Sequence, residues 1–504
     1  MKVYISHSTS FDFLNEFYLP IKNCKDFEDV QFFFPHDDKE KNTKDIIGSF
    51  DLVVAEVSFA STGQGIEIGW ADMKNIPLLC MYRKGSKISS SLKLITKNVV
   101  EYSDEQDMLK KLKLFLIEQN NKKKGAKMPR KEFVNEVFRK LEESHIYLYH
   151  DISKEEFERQ KNEFLEGVEA LDELHFQAGM LKLFALFKDA HLFYEGLSLN
   201  FVNAQIAQRE REFYVVDGEK IFKIEKVNGH DIEEVIEKAK AYIPYEVETW
   251  AYRQIGVRFL NSPRALAMLD FGEENADKVV YSCEGGRLIE RGFPTEEEVK
   301  NFKRKPLYES DKFCDGQVLY IRYRACRNME NYPFKQFVEE VAQSCESLPK
   351  ACLVDVRNNT GGSDVVIRPL CDYLKENNIK TYMLMNEATF SSGTFALASF
   401  KEQLNATLLG TDAGQPTRAY GNIKWLEVDG KRFTTCERYF ELTSAHDENA
   451  PVKPYCIIKG FDYAGVIKPD IEIKLDLQDF YNKVDTQLNE SLKIIENDIG
   501  SKKR

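Results

Sequence analysis

The chain has 504 residues, 43% of them apolar and 30% charged, with a formal net charge of −12. That length exceeds what one hydrophobic core organises and predicts roughly two to four domains. The acidic balance argues against a nucleic-acid surface, and no apolar run approaches the roughly 18–20 residues of a membrane span.

The opening MKVYISHSTS enters a strand pattern at once, without the basic region, apolar core and cleavage site of a secretory leader. Ten cysteines stand singly and form no CxxC pair, which indicates neither a zinc site nor a disulfide framework. Cys80, Cys352 and Cys456 lie in apolar runs and read as small buried hydrophobes of a reducing compartment. A cytoplasmic protein without metal or other cofactor is expected.

Residues 1–120 alternate strand and helix signals. Lys2–Ser6, Gln31–Pro35 (QFFFP), Asp51–Val57 (DLVVAEV) and Pro77–Tyr82 (PLLCMY) read as strands, with helical patterns at Gly65–Lys74 and Asp104–Glu118. DLVVAEV has the continuous apolar character of a strand buried on both faces. The pattern predicts a doubly wound parallel α/β domain that binds ligands at the carboxyl ends of its strands.

The stretch after DLVVAEV reads SFASTGQGIEIGWA. Small residues at 61–65, including Gly63 and Gly65, allow close backbone approach to a ligand, and Glu67 follows as the helix begins. A carboxylate there could attack or stabilise a sugar C1 during N-glycosidic cleavage. A Glu in a first helical turn is also favoured by the helix dipole, with no catalytic role. The segment resembles the core motif of the nucleoside 2-deoxyribosyltransferase superfamily, particularly its deoxynucleoside-monophosphate N-hydrolase branch. The resemblance implies that Glu67 is the catalytic carboxylate and that Asp45 or Asp51 contacts base or ribose. It also implies that Ser91, in RKGSKISSSLK, contacts phosphate, with Ser6, Gly63 and Gly65 in the same nucleoside or nucleotide site. The first loop, YISHSTSFDF, lacks the Gly-Ser-x-Arg pattern of the N-hydrolases and is similar to the opening of TIR domains.

Residues 121–130 fall in EQNNKKKGAKMPRK, a polar tract with Gly and Pro that reads as a linker. Helical patterns fill much of 131–210, at Lys131–Glu143 and Lys154–Leu171. A core of strands and helices is expected over 211–490, with strand-bearing segments at Leu266–Tyr281 and Gly316–Arg322. An Asn228-Gly229 turn leads into a helix near Asp231, and 491–504 reads as a polar tail. Histidines 145, 150 and 175 read as packing or surface residues.

The organising stretch is Ala351–Asn422, with ACLVDVRNNTGGSD, TYMLMNEATFSSGTFALASF and LLGTDAGQPTRAYGN. Ser391 and Ser392 stand where an apolar run, Tyr382–Met385, gives way to a helix-like one, Phe395–Phe400. A serine there sits at a helix N-terminus with Oγ exposed and the next N–H free. Ser391 is the candidate nucleophile, although Ser-Ser-Gly is also ordinary loop chemistry. The N–H groups of Ser392 and of Gly361 or Gly362 are candidates for an oxyanion hole. His191, after the dense apolar run MLKLFALFK, is the candidate base, although a histidine at a helix end is also an ordinary buried or surface residue.

From about Met128 to Asp485 the chain resembles the S41 serine peptidases, the tail-specific or C-terminal-processing family. LFALFKDAH resembles the family's D-x-H signature, LVDVRNNTGGSD its D-x-R-x-N-x-G-G turn, and TFSSGTFALA its nucleophile segment. GTDAGQPTRAYGN and GVIKPDIEI resemble its closing elements. Bacterial members use a Ser-Lys dyad with the Lys in T-F-G-K-G; here the region reads QPTRAYG, and Pro416 stands near the Lys position. The resemblance therefore implies the His-using branch related to the tricorn core, with His191 as base and Glu448 or Asp462 as its orienter. It further implies an α+β fold with a helical cap, serine endopeptidase activity on peptides or proteins, and self-association. The alternative is a non-proteolytic binding protein of this fold whose first domain carries the chemistry. The fusion itself motivates the expectation that nucleotide occupancy regulates the peptidase.

Overall fold

The computed structural model describes residues 1–500 apart from 28–29, 38–42, 75, 125–127 and 303–304, and excludes the side chains at 25, 45, 120–124 and 301. Two compact units divide the chain, Met1–Met128 and Pro129–Arg504. Among the described residues no helix is long and apolar enough to cross a membrane, and the ten cysteines are free.

In the first unit, strands β1 (Lys2–His7), β2 (Gln31–Phe33), β3 (Leu52–Glu56), β4 (Leu78–Arg83) and β5 (Val99–Tyr102) form a parallel sheet in the order β2-β1-β3-β4-β5. Side chains alternate across a strand, so Leu52 and Val54 enter a core with Phe17, Ile21, Met108 and Leu112. Val53 and Ala55 enter a second core with Ile47, Ile68 and Ala71 on the other face. This is the doubly wound arrangement expected from DLVVAEV, with β5 as a strand the periodicity did not reveal. The strand order reverses between β1 and β3, and the crevice at their carboxyl ends is where such sheets bind ligands.

The helix Glu105–Lys124 continues into the tract read as a linker, because Glu, Gln and Lys are good helix formers. The next helix starts at Arg130. Helices Arg130–Ser144, Lys154–Gly167 and Glu173–Ala185 open the second unit. A six-stranded sheet follows, made of β6 (Ile206–Arg209), β7 (Glu212–Asp217), β8 (Lys220–Val227), β9 (His230–Asp231), β10 (Lys278–Cys283) and β11 (Arg287–Gly292). Asn228 (φ 51°) and Gly229 (φ 86°) make the tight turn between β8 and β9. Part of the expected strand segment 266–281 is instead the helix Pro263–Met268, capped by Ser262 with proline at its first position.

The central sheet runs β12 (Tyr308–Phe313), β13 (Val318–Tyr323), β14 (Ala351–Asp355), β15 (Lys380–Met385), β16 (Thr407–Gly410) and β20 (Ile471–Glu472), parallel except for β12. Cys352, Val354, Met383 and Met385 face a core shared with the helices Phe334–Gln343, Arg368–Glu376 and Ser392–Leu404. Leu353, Tyr382 and Leu384 face the opposite core, closed by Ile495 of the helix Thr486–Gly500. The stretch from 491 is thus no polar tail: through Gly500 it is a packed helix. A three-stranded sheet of β17 (Arg418–Val428), β18 (Lys431–Thr443) and β19 (Cys456–Phe461) completes the unit.

Candidate active site

β14 and β15 end side by side, and the turns after them are tied together. Asn386 Oδ1 accepts the N–H groups of Asn358 and Ala388, Thr389 Oγ1 donates to Val356 O, and Phe390 N–H donates to Asn359 O. Ser391 follows at φ 54°, ψ −128°, a strained conformation for a residue with a Cβ that costs about 1–3 kcal/mol. Gln415 Oε1 accepts its N–H at 2.7 Å, and its carbonyl accepts Thr394 N–H and Thr394 Oγ1 at the start of the helix. The Ser391 hydroxyl oxygen lies 3.0 Å from His191 Nε2, across 200 residues of sequence.

His191 stands in the turn after the helix Glu173–Ala185. Thr434 Oγ1 donates to its carbonyl oxygen at 2.6 Å. Its ring lies 4.5 Å from that of Phe390, which stacks on Trp250 at 4.3 Å. For Nε2 to accept from the serine, Nδ1 must carry the ring proton. Nδ1 is buried without a hydrogen-bond partner and lies 3.9 Å from Asp189 Oδ1, inside Coulombic range. Burial pushes the imidazole below its ordinary value, with Asp189 opposing.

Asp189 is fully buried. Its Oδ1 accepts His191 N–H at 2.8 Å and its Oδ2 accepts from His145 Nε2 at 3.1 Å. Tyr147 N–H donates to His145 Nδ1, which leaves Nε2 to carry that ring's proton. Burial would raise the Asp189 carboxyl; the His145 bond and the neighbouring imidazoles outweigh it and hold it low. Glu246 is half-buried. Its Oε2 accepts Ala190 N–H at 3.2 Å and its Oε1 is buried without a partner. Burial and the Asp189 charge push this carboxyl well above the carboxylate range, so it keeps its proton. Asp189, His191 and Glu246 each place one polar atom within 4.8 Å of the others, as do His145, Asp189 and Cys436. Ligands about 2.0–2.3 Å from a zinc ion stand closer together than the 3.9 Å between Nδ1 and Oδ1, and both Asp189 oxygens already accept hydrogen bonds. In both clusters Asp189 is instead committed to hydrogen bonds, while His191 Nδ1 and Glu246 Oε1 have no partner.

The Gly-Gly turn packs directly on the serine. A Cβ on Gly361 (φ 99°) would lie 2.5 Å from Ser391 Cβ, and one on Gly362 (φ 137°) would lie 2.3 Å from Cys326 O. Gly361 does not offer the free donor expected of it, because its N–H is donated to Asn359 Oδ1 at 2.9 Å. Among the described residues no acceptor takes the N–H of Gly362 or of Ser392, while Ser392 Oγ donates to Gly362 O. Glu448 and Asp462, the expected orienters, are exposed, and among the described residues the carboxylates beside His191 are Asp189 and Glu246. Sequence reasoning assigned no role to Asp189 or Glu246 and a packing or surface role to His145, although Asp189 stands two residues before His191. Pro416 pairs with Val466, and Gln415 beside it reaches the serine. The DVR of DVRNN is structural: Arg357 pairs with Asp355 and Asp485, and Arg322 also reaches Asp355.

In the first unit, Glu67 accepts from Tyr4 Oη at 2.7 Å and from Ser6 Oγ at 2.6 Å. Tyr4 and Ser6 are alternate residues of β1 and share a face; that spacing was the available signal for Tyr4. The expected glycine loop is the first turns of the helix Thr62–Met73, where Gly63 and Gly65 are exposed with open space beside them. Asp51 precedes β3 and accepts Lys2 N–H at the amino end of the sheet, opposite Glu67's crevice. The Asp45 side chain lies outside the described residues. Ser91 is exposed ahead of the short helix Leu92–Ile95 and makes no cap bond.

No protein-family model matches the chain, and no curated relative does. Among solved structures, the chain is similar to mature CPAF, with a TM-score of 0.48 and 13% identity over 73% of this chain and 96% of that one. It is similar to the photosystem II D1 C-terminal processing protease at 0.37 and 13%, over 69% and 93% of the two chains. It is similar to the tricorn protease at 0.36 and 13%, over 73% and 37%. With every TM-score below 0.5, these chains lend the site no residue-by-residue correspondence.

Proposed function

We propose that the second unit is a serine peptidase of the S41 type acting on peptides or proteins, with Ser391 as nucleophile and His191 as base. The observation that carries this is the 3.0 Å approach of Ser391 Oγ to His191 Nε2 across 200 residues of sequence. Oγ attacks the scissile carbonyl while its proton passes to Nε2. The charge on the tetrahedral oxygen is met by the free N–H groups of Ser392 and Gly362. His191 then returns the proton to the leaving amine, and water releases the acyl group by the same route. Asp189, anionic and fixed by His145, favours the imidazolium that forms at each step.

A fluorophosphonate probe tests this. Labelling of wild type that is lost in Ser391→Ala and in His191→Ala supports the reading. A folded wild type that takes no label refutes it and favours a non-proteolytic binding role.

A second reading concerns the first unit alone. Glu67, held by two hydroxyls at the crevice between β1 and β3, suits an N-glycosidic centre for a nucleoside or nucleotide. Release of free base from deoxynucleoside monophosphates, abolished by Glu67→Gln, is the expected result. Release unaffected by that change would exclude Glu67.

A further inference from the structure

Gln415 is polar, 1% exposed, and has no assigned part in the chemistry above. Its amide oxygen takes the Ser391 N–H at 2.7 Å, which fixes the orientation of the amide. The loop that carries it is pinned on several sides. Ala413 N–H donates to Ile467 O and Gly414 N–H to Thr389 O, while Thr249 Oγ1 donates to Ala413 O. Gly414 leaves no room to shift: a Cβ there would stand 2.5 Å from Glu387 O and 2.8 Å from the Trp250 ring. A rigid acceptor therefore meets a strained residue. With its N–H held, Ser391 stays at φ 54°, its Oγ stays on His191, and the hole is left to the next N–H, that of Ser392.

We infer that Gln415 is the positioning residue for the nucleophile, locking Ser391 in its reactive conformation through the backbone rather than touching the reacting atoms. The inference rests on the serine peptidase reading. Without the acceptor, the Ser391 N–H is left unpaired and the residue relaxes toward an ordinary backbone conformation, carrying Oγ away from Nε2.

The test uses the full chain and a fluorophosphonate–rhodamine probe, with labelling rate and melting temperature read together. Gln415→Leu and Gln415→Met, which lack a strong acceptor, should label about 10²-fold more slowly, as expected for a misplacement near 1 Å. Gln415→Glu, whose carboxyl oxygen accepts the same N–H, should label at nearly the wild-type rate. The midpoint of the labelling rate against pH, set by His191, should be unchanged in Gln415→Leu and Gln415→Met. A folded Leu or Met variant that labels as fast as wild type overturns the inference, and so does a folded Glu variant as slow as the Leu one. A wild type that takes no label sinks the peptidase reading itself, a result distinct from either.

Discussion

The closest test of the serine geometry is Gly361→Ala. Gly361 sits at φ 99°, and its added methyl would stand 2.5 Å from Ser391 Cβ, 2.9 Å from Ser392 N and 3.0 Å from Ser391 Oγ. Carbon atoms in contact prefer about 3.5–4.0 Å, so the two turns must separate by about 1 Å. Two costs follow. The backbone strain of alanine at this φ is about 1–3 kcal/mol of stability. The displaced nucleophile loses about 10²-fold in rate, which is about 2.7 kcal/mol of activation free energy. Gly430→Ala separates the two, because Gly430 has φ 76° with no neighbour in reach of a Cβ. It should lose stability alone. The assay is the fluorophosphonate labelling rate beside the melting temperature. If Gly361→Ala labels at the wild-type rate, or Gly430→Ala slows labelling as much, packing of the Gly-Gly turn on the serine does not control its reactivity.

Burial lowers the His191 imidazole below 6.5 against the pull of Asp189, and in the proposed mechanism the neutral ring is the base. Labelling should therefore rise with pH through a midpoint below 6.5; a midpoint at or above it contradicts the buried base. Glu246 keeps its proton in the folded chain well above 4.5, where the unfolded chain has released it. Stability therefore falls as pH rises past that value, and Glu246→Gln should gain melting temperature over wild type at about pH 8 relative to about pH 5. Equal differences at both would place the carboxyl in water. Arg357→Met strips a buried partner from Asp355 and should cost about 3–5 kcal/mol, seen as a lower urea midpoint. No change would make the DVR network ornamental.

Inner strands were legible because local pattern sets them: DLVVAEV alternates its side chains into two cores. Element ends were not, because apolar runs alone suggested strand where the Ser262-Pro263 start makes a helix. Ser391 and His191 stood out through the resemblance to the S41 peptidases, since a Ser-Ser-Gly turn and a histidine at a helix end are by themselves ordinary; the fold brings the two side chains to 3.0 Å. What lies around them did not stand out. Asp189 stands two residues from His191, yet its role depends on His145, 44 residues away, and Glu246 arrives from a loop with no motif. Gly361 and Gly362 read alike as letters; only the fold commits one N–H to Asn359 and leaves the other free. In the same way, Pro416 marked where a lysine is missing, while its neighbour Gln415 holds the serine, because hydrogen-bond partners are assigned by which turns the sheet brings together. The sequence by itself determined the two units and singled out Ser391 and His191 as candidates. Tertiary structure decided which groups orient them, since burial and bond direction exist only once distant segments meet.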